Sequence, residues 1–175
     1  MKRFIFFLPL IIFIIISIFL LIYLLQKNDP KNPPSALLNK EIPKFEVKNL
    51  FDDKEVITQE NLKDNFILLN FFASWCAPCK VEHKMLFKIK NDLNNLLLVG
   101  INYKDKVDDA KKYLQNEGNP YSFVGLDNKG MVGLEFGVFG LPETFIINKE
   151  GFIIYKHLGP ITEKIFNEEI KPLVQ

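Results

Sequence analysis

The sequence predicts an α/β domain built on a mixed β-sheet. Residues 66–72 form a short apolar run between polar residues, which is typical of a central strand buried on both faces. A helical pattern over 77–91 follows it directly. Farther along, strand patterns at 144–147 and 153–155 enclose a turn at 148–151, which indicates a hairpin. Since helices alternate with these strands, we expect helices packed against a sheet with both parallel and antiparallel pairs.

The other elements have weaker patterns. Within the helix over 77–91, apolar residues recur at helical spacing with lysines on the opposite side, and the apolar positions are Val81, Met85, Leu86 and Ile89. The remaining predicted elements are a β-hairpin within 45–56, a buried strand over 96–101, a helix over 105–116 with an Asp-type cap, and a closing helix over 162–173.

Residues 4–25 consist almost wholly of Phe, Ile and Leu. As a helix that rises ~1.5 Å per residue they span ~33 Å, which is enough to cross a bilayer. A cleaved secretory signal would have an apolar core of ~7–15 residues and small residues at its cleavage site, and residues 24–28 offer no such site. We therefore expect residues 1–25 to be a retained transmembrane anchor, with Lys2 and Arg3 holding the N-terminus in the cytoplasm.

The rest of the chain is predicted to consist of a linker and one domain. Residues 26–40 contain three prolines among polar residues, which indicates an extended tether, and 41–175 then form the folded domain. Lys2 and Arg3 account for two of the 22 basic residues, so 20 basic residues balance 21 acidic residues in the remainder. Without a basic field, we expect no nucleic-acid partner.

Cys76 and Cys79 are the two cysteines of the chain. The entropic benefit of a disulfide grows with loop length, so a bridge across two residues is better explained by reactivity than by stability. The pair follows the strand predicted over 66–72 and opens a helix, so backbone N–H groups and the helix dipole would stabilise a thiolate at Cys76. We expect Cys76 to attack a partner disulfide and Cys79 to resolve the mixed disulfide.

Two other uses of the CxxC spacing are weaker. Zinc takes four ligands, and only His83 and His157 could join the two cysteines. Covalent haem attachment needs a His directly after the second cysteine, where this chain has Lys80. We therefore expect no metal and no cofactor beyond the redox-active cysteine pair.

Three runs of the predicted domain resemble those of a known family. They are Trp-Cys-Ala-Pro-Cys at 75–79 with Glu-His at 82–83, Gly-Ile-Asn-Tyr-Lys-Asp at 100–105, and Gly-Val-Phe-Gly-Leu-Pro-Glu-Thr-Phe at 137–145. The chain resembles the thioredoxin superfamily and, within it, the membrane-anchored thioredoxins of cytochrome c maturation, the CcmG or DsbE type. The resemblance covers most of residues 41–175, and it implies a thioredoxin-like fold and a thiol-disulfide oxidoreductase.

The resemblance also implies roles for residues near the pair. In that family the proline of the last run is cis and lies against the cysteines, which would place Pro142 beside Cys76. There it would block metal capture and leave the preceding backbone free to pair with an extended substrate. Asn70 stands where ordinary thioredoxins carry a buried Asp that helps proton transfer.

Because Asn70 cannot titrate, another acid must serve if one is needed. Glu82 is the first candidate, since it lies three residues past Cys79 on the same helical face. Glu143, next to Pro142, is the second. The alternative for each glutamate is a solvated surface carboxylate.

The remaining side chains of interest are aromatic or imidazole groups. Trp75 directly precedes the expected nucleophile, and we expect it to shield the sulfur and to offer a flat surface to partners. His83 is expected on the helix surface and His157 on the outward side of a strand.

The resemblance implies a periplasmic reductant held in the bacterial inner membrane by a single span. Its substrate would be apocytochrome c or a cytochrome c haem-ligation protein, and a membrane thiol electron donor would reduce it again. Two alternatives stay open. One is a general oxidase or isomerase of exported disulfides, which often carries His between its cysteines. The other is a copper-binding assembly factor on the same fold, which needs two thiolates and a well-placed His.

Overall fold

The computed structural model describes residues 2–25 and 36–174, and in the first range it describes the side chains from Phe7 to Tyr23. The chain divides into two compact units, Met1–Pro33 and Pro34–Gln175. The first unit contains helix α1 (Lys2–Leu25), whose described side chains are all exposed. Over the residues with described side chains, no helix is both long enough and apolar enough to cross a membrane. Residues 26–35 of the predicted linker lie outside the described residues.

The described part of the second unit alternates strands and helices. Its elements are β1 (Glu46–Lys48), β2 (Val56–Thr58), a 3-10 turn (Gln59–Leu62), β3 (Phe66–Phe72), α2 (Ala77–Asp92), β4 (Leu96–Tyr103), α3 (Val107–Glu117), β5 (Phe123–Asp127), α4 (Met131–Glu135), β6 (Glu143–Ile147), β7 (Ile153–Leu158), α5 (Glu163–Ile165), a π-helical turn (Phe166–Ile170) and α6 (Lys171–Val174). The predicted strand at 66–72, the helix after it and the two predicted hairpins are confirmed.

Five of these strands form a mixed sheet in the order β5-β4-β3-β6-β7. β3 pairs in parallel with β4 and antiparallel with β6, and it is buried from Ile67 to Phe72. Because side chains alternate along a strand, Leu68 packs into a core with α2, α3 and the C-terminal helices, whereas Leu69 packs into a second core with the β1–β2 hairpin and α4. The prediction of a central strand buried on both faces is confirmed.

The buried face of α2 differs from the predicted one. Its buried residues are Cys79, Glu82, His83, Leu86 and Ile89, which recur at helical spacing. The prediction that Val81 lies on the apolar face is wrong, since its side chain is 75% exposed. The polar residues Glu82 and His83 lie on the buried face of α2, where the apolar pattern alone predicts Val81.

Helix α3 begins two residues later than predicted. Its N-cap is Lys106, which makes no side-chain capping bond. The predicted cap, Asp105, binds Ser74 instead.

Strand β5 and helix α4 were not predicted, and Gly125 shows one reason. A Cβ built on this glycine of β5 would lie 2.4 Å from Cγ2 of Val47 in β1. The hairpin can therefore pack closely against β5 because a glycine interrupts the apolar run.

The sheet brings two distant segments to one edge. β3 runs toward Cys76, while the antiparallel β6 begins directly after Pro142, and Phe71 pairs with Glu143. The cysteine pair and Pro142 therefore lie at the same edge of the sheet.

Candidate active site

Cys76 and Cys79 form a disulfide at the start of α2. Cys76 is the N-cap residue, and the backbone N–H of Cys79 donates a hydrogen bond to Cys76 Sγ over 3.2 Å. Pro78 lies in the first turn, where the helix has no use for a further N–H donor. Once the disulfide is reduced, the same N–H and the helix dipole stabilise a thiolate on Cys76.

Burial does not by itself distinguish the two sulfurs. Cys76 is 4% exposed and Cys79 is 3% exposed. The backbone donor on Sγ of Cys76 is the feature that favours this residue as the nucleophile.

The peptide bond between Leu141 and Pro142 is cis, as the resemblance implied. The Pro142 carbonyl accepts a hydrogen bond from Gly159 N over 2.9 Å, which attaches the proline to the segment after β7. Together with the strand register, this contact places Pro142 at the sheet edge that carries the cysteines.

Behind the pair lies a buried polar network centred on Asn70 of β3. The Asn70 amide donates to Glu82 Oε2 and to Thr144 Oγ1, each over 3.0 Å. Its carbonyl oxygen accepts a hydrogen bond from the Tyr121 hydroxyl over 2.7 Å. The other carboxyl oxygen of Glu82 accepts from Ile161 N over 2.9 Å. Asn70, which stands at the position of the buried Asp of ordinary thioredoxins, thus donates a hydrogen bond to the acid Glu82.

Glu82 is a buried carboxyl in the described site, and its side chain is 1% exposed. It lies one helical turn beyond Cys79, and residues at this spacing have Cβ atoms about 5–6 Å apart. Burial raises the pKa of Glu82 from 4.5 to about 7, against the opposing effect of the Ile161 and Asn70 hydrogen bonds. The alternative of a solvated carboxylate is therefore wrong for Glu82, which can gain or lose a proton near neutral pH.

Glu143 is also buried, but its environment is charged. Its Oε1 lies 2.6 Å from Nζ of Lys156 without hydrogen-bond alignment, and the two side chains are 0% and 7% exposed. Its Oε2 accepts hydrogen bonds from Phe139 N and Gly140 N. Lys156 also donates to Gly137 O over 3.0 Å. The ion pair thus holds residues 137–140 against β6 and β7.

Trp75 lies on the surface, with 60% of its side chain exposed. Its indole N–H donates to Lys104 O over 3.1 Å. The next residue back, Ser74, donates from its backbone and hydroxyl to the Asp105 carboxylate. These contacts attach the loop after β4 to the residues before Cys76. An open cleft of about 460 Å³ lies beside the Trp75 indole, and its lining includes Ser74, Lys104 and Asp105.

The predictions for both histidines are wrong. His83 is 4% exposed, and its ring nitrogens contact Gly118 O at 2.9 Å and the Tyr113 hydroxyl at 3.0 Å. His157 is 8% exposed, and burial lowers its pKa. Neither lies in a metal cluster, since no group of three or more His, Cys, Asp or Glu residues in the described part of the chain could hold a metal ion.

Sequence reasoning missed Tyr121 and Lys156. Tyr121 belongs to a loop between α3 and β5 and lies 51 positions from Asn70. Lys156 lies in β7, which pairs with the strand that begins at Glu143. Nothing in their local sequence distinguishes them from ordinary core and surface residues.

The chain is similar to known thiol:disulfide interchange proteins along nearly its whole length. Residues 37–170 match the family model described as Redoxin. The chain is 40% identical over 181 residues to the thiol:disulfide interchange protein DsbE of Escherichia coli (strain K12), a match that covers 99% of this chain and 95% of that protein. It is 40% identical over 153 residues to the thiol:disulfide interchange protein HelX of Rhodobacter capsulatus, with 87% and 85% covered.

Solved structures show the same fold. A thiol:disulfide interchange protein DsbE from Chlorobium tepidum, described as putative, superposes with a TM-score of 0.63 at 26% identity, covering 78% of this chain and 95% of that one. The thioredoxin domain of a thiol-disulfide oxidoreductase from Bacteroides vulgatus superposes with a TM-score of 0.69 at 18% identity, covering 82% of this chain and all of that one. The predicted thioredoxin-like fold of the domain is confirmed.

The raised pKa of Glu82 makes stability depend on pH. The folded state binds this proton more tightly than the unfolded chain does, so the resulting stabilisation is complete below pH 4.5 and is lost as the pH rises through about 7. Glu82→Gln does not lose this stabilisation. As the pH rises from 4.5 to 8, we therefore expect its unfolding free energy to increase relative to that of the wild type by about 3 kcal/mol. Urea unfolding of the oxidised full chain in detergent at several pH values measures this difference. The matched control is Glu168→Gln, a change of an exposed glutamate. If the difference in unfolding free energy between Glu82→Gln and the wild type did not change with pH, the raised pKa of Glu82 would be contradicted.

The buried ion pair gives a second prediction. Lys156→Met leaves the Glu143 carboxylate buried without its cation, and we expect a loss of about 3–5 kcal/mol in unfolding free energy. The double change Lys156→Met with Glu143→Gln should lose less than Lys156→Met alone, because no uncompensated charge remains. Urea unfolding of the four members of this cycle tests the coupling, and additive losses would show that the pair does not act as a unit.

Proposed function

The chain belongs to the Redoxin family and is a thiol-disulfide oxidoreductase, and from this premise we propose that it acts as a reductant of disulfides in cytochrome c maturation. The substrate is a disulfide in apocytochrome c or in a cytochrome c haem-ligation protein. The redox-active pair Cys76–Cys79 serves as the whole redox group, with no further cofactor.

The observation that carries this proposal is the buried Glu82 one turn beyond Cys79. A strong oxidant has a stabilised reduced form, usually through a thiolate that its surroundings favour. Here an ionised carboxyl in a dry site repels a nearby thiolate, so it disfavours the reduced form and lowers the reduction potential. The dipeptide Ala77-Pro78 adds no positive charge that would offset this effect.

Glu82 also suits the second step of the reaction. Reduced Cys76 attacks one sulfur of the partner disulfide as a thiolate, which forms a mixed disulfide and releases the other partner sulfur as a thiolate. Cys79 then gives its proton to Glu82 and attacks Sγ of Cys76, and the second partner sulfur leaves. Glu82 returns the proton to a departing thiolate. Two electrons pass to the partner, and the Cys76–Cys79 disulfide remains.

A membrane location fits both the substrate and the need for repeated reduction. The described side chains of α1 are apolar apart from the hydroxyls of Ser17 and Tyr23 and are all exposed, which supports a single anchor in the bacterial inner membrane. Lys2 and Arg3 place its N-terminus in the cytoplasm and the catalytic domain in the periplasm. A membrane thiol electron donor then reduces the pair after each turnover.

Trapping identifies the partner. In Cys79→Ser the second step cannot occur, so we expect a mixed disulfide to accumulate at Cys76. Non-reducing electrophoresis followed by mass spectrometry of the captured chain should recover a cytochrome c precursor or its haem-ligation protein. The matched control, Cys76→Ser with Cys79→Ser, should capture nothing. A broad set of exported proteins would instead identify a general oxidase or isomerase.

Direction of electron flow is tested by redox titration. We expect the midpoint of the Cys76–Cys79 couple to lie nearer the ~ −270 mV of thioredoxin than the ~ −120 mV of a strong oxidant. Glu82→Gln should move the midpoint to a more positive value, and Glu168→Gln should not. A midpoint close to that of the strong oxidant would refute the reductant assignment, and copper retained in stoichiometric amounts after dialysis would favour an assembly factor.

A further inference from the structure

In its observed orientation the Asn70 side-chain amide has a hydrogen-bond partner for both of its N–H groups and for its oxygen. Its two N–H bonds go to Glu82 Oε2 and Thr144 Oγ1. Its carbonyl oxygen receives the Tyr121 hydroxyl proton over 2.7 Å. Asn70 is 0% exposed, so bulk water does not reach its hydrogen-bonding groups.

A rotation of the amide by half a turn would exchange its oxygen and nitrogen. Oδ1 would then face Glu82 Oε2, and an ionised carboxylate would meet an acceptor instead of a donor. A protonated Glu82 could tolerate that arrangement, because its O–H can donate to Oδ1. The orientation of Asn70 therefore selects between the charged and the neutral form of Glu82.

We propose that Tyr121 is a positioning residue of the active site, because its hydroxyl fixes the Asn70 amide in the orientation that gives Glu82 Oε2 a hydrogen-bond donor. In the observed orientation the Tyr121 hydroxyl proton goes to Oδ1, and the two amide protons go to Glu82 and Thr144. In the rotated orientation the amide nitrogen would face the hydroxyl oxygen, and the buried hydroxyl proton would lose Oδ1 as its acceptor. The inference rests on the proposed function where it assigns Glu82 to proton transfer.

The ring of Tyr121 is placed by its neighbours. It stacks on Phe72 with centroids 5.0 Å apart, and its backbone N–H donates to Asn119 Oδ1. Gly100 of β4 makes room for it, because a Cβ at this position would lie 2.9 Å from atoms of both rings. Burial also raises the pKa of Tyr121 well above its ordinary value, so the hydroxyl keeps the proton that it donates.

The groups that face Glu82 come from several elements. Asn70 of β3 and the N–H of Ile161 donate to its carboxyl, and Tyr113 of α3 and Tyr121 are the titratable side chains that sense its charge. On its own helix, Cys79 lies one turn earlier. Tyr113 and Tyr121 stay neutral near pH 7, so neither adds a charge that would shift the pKa of Glu82. Loss of a hydrogen-bond donor to the Glu82 carboxyl is therefore the change that shifts this pKa.

The experiment compares Tyr121→Phe with Tyr113→Phe in the oxidised full chain in detergent. Both changes remove one buried hydroxyl from a ring beside Phe72, but the Tyr113 hydroxyl contacts His83 instead of Asn70. Carbon-13 NMR of the glutamate carboxyls follows the titration of Glu82, which is assigned by its loss in Glu82→Gln. We expect Tyr121→Phe to raise the Glu82 midpoint by about one pH unit and Tyr113→Phe to leave it in place.

A second substitution displaces the Tyr121 hydroxyl without removing it. Gly100→Ala pushes against the Tyr121 ring and should raise the midpoint in the same direction. An unchanged midpoint in Tyr121→Phe would overturn the inference. Equal shifts in Tyr121→Phe and Tyr113→Phe would overturn it as well, because they would indicate general loosening of the core.

The pH profile of disulfide reduction separates this inference from the proposed function. The reduction rate should rise with pH as Glu82 ionises, and Tyr121→Phe should move that rise to higher pH. If the pH profile of Glu82→Gln is the same as that of the wild type, Glu82 does not transfer the proton and that part of the proposed function fails. The NMR result on Tyr121→Phe would then still decide the positioning role by itself.

Discussion

Burial of the Glu82 carboxyl behind the cysteine pair is the constraint on which the arrangement of the site depends. A carboxyl closed off from water needs a proton or hydrogen-bond donors, and Glu82 has donors from Asn70 and Ile161. One lies in β3 and the other just before α5, while Glu82 itself lies in α2. The sheet, the first helix of the domain and the C-terminal segment must therefore meet behind the disulfide for the site to exist.

Two buried glutamates at this edge of the sheet have opposite surroundings and opposite uses. Glu82 faces neutral donors, so burial dominates and its pKa rises to about 7. Glu143 faces Lys156, and its carboxylate holds residues 137–140 next to Pro142. In the proposed mechanism the first exchanges protons with Cys79, and the second keeps the loop before the cis proline in place.

Local sequence patterns were enough to predict the elements around the cysteines. β3, α2 and the β6–β7 hairpin each have an apolar period or turn signal within a few residues. The buried stripe of α2 was mispredicted because Glu82 and His83 occupy it, and hydrophobicity alone assigns such residues to the surface. Their burial is favourable only because partners such as Asn70 and Tyr113 arrive from other elements.

By itself the sequence determined that Cys76 and Cys79 form a reactive pair at a strand-to-helix junction, since residues 66–91 contain the strand pattern, the two cysteines and the helix pattern. It also identified Glu82 and Pro142 as neighbours worth testing. Only the tertiary structure decided that Asn70 donates a hydrogen bond to Glu82, that Tyr121 donates one to Asn70 and that Lys156 forms an ion pair with Glu143. The physical reason is distance along the chain: hydrogen bonds to Glu82 and Asn70 join residues 12 to 79 positions apart, and no local period specifies such contacts.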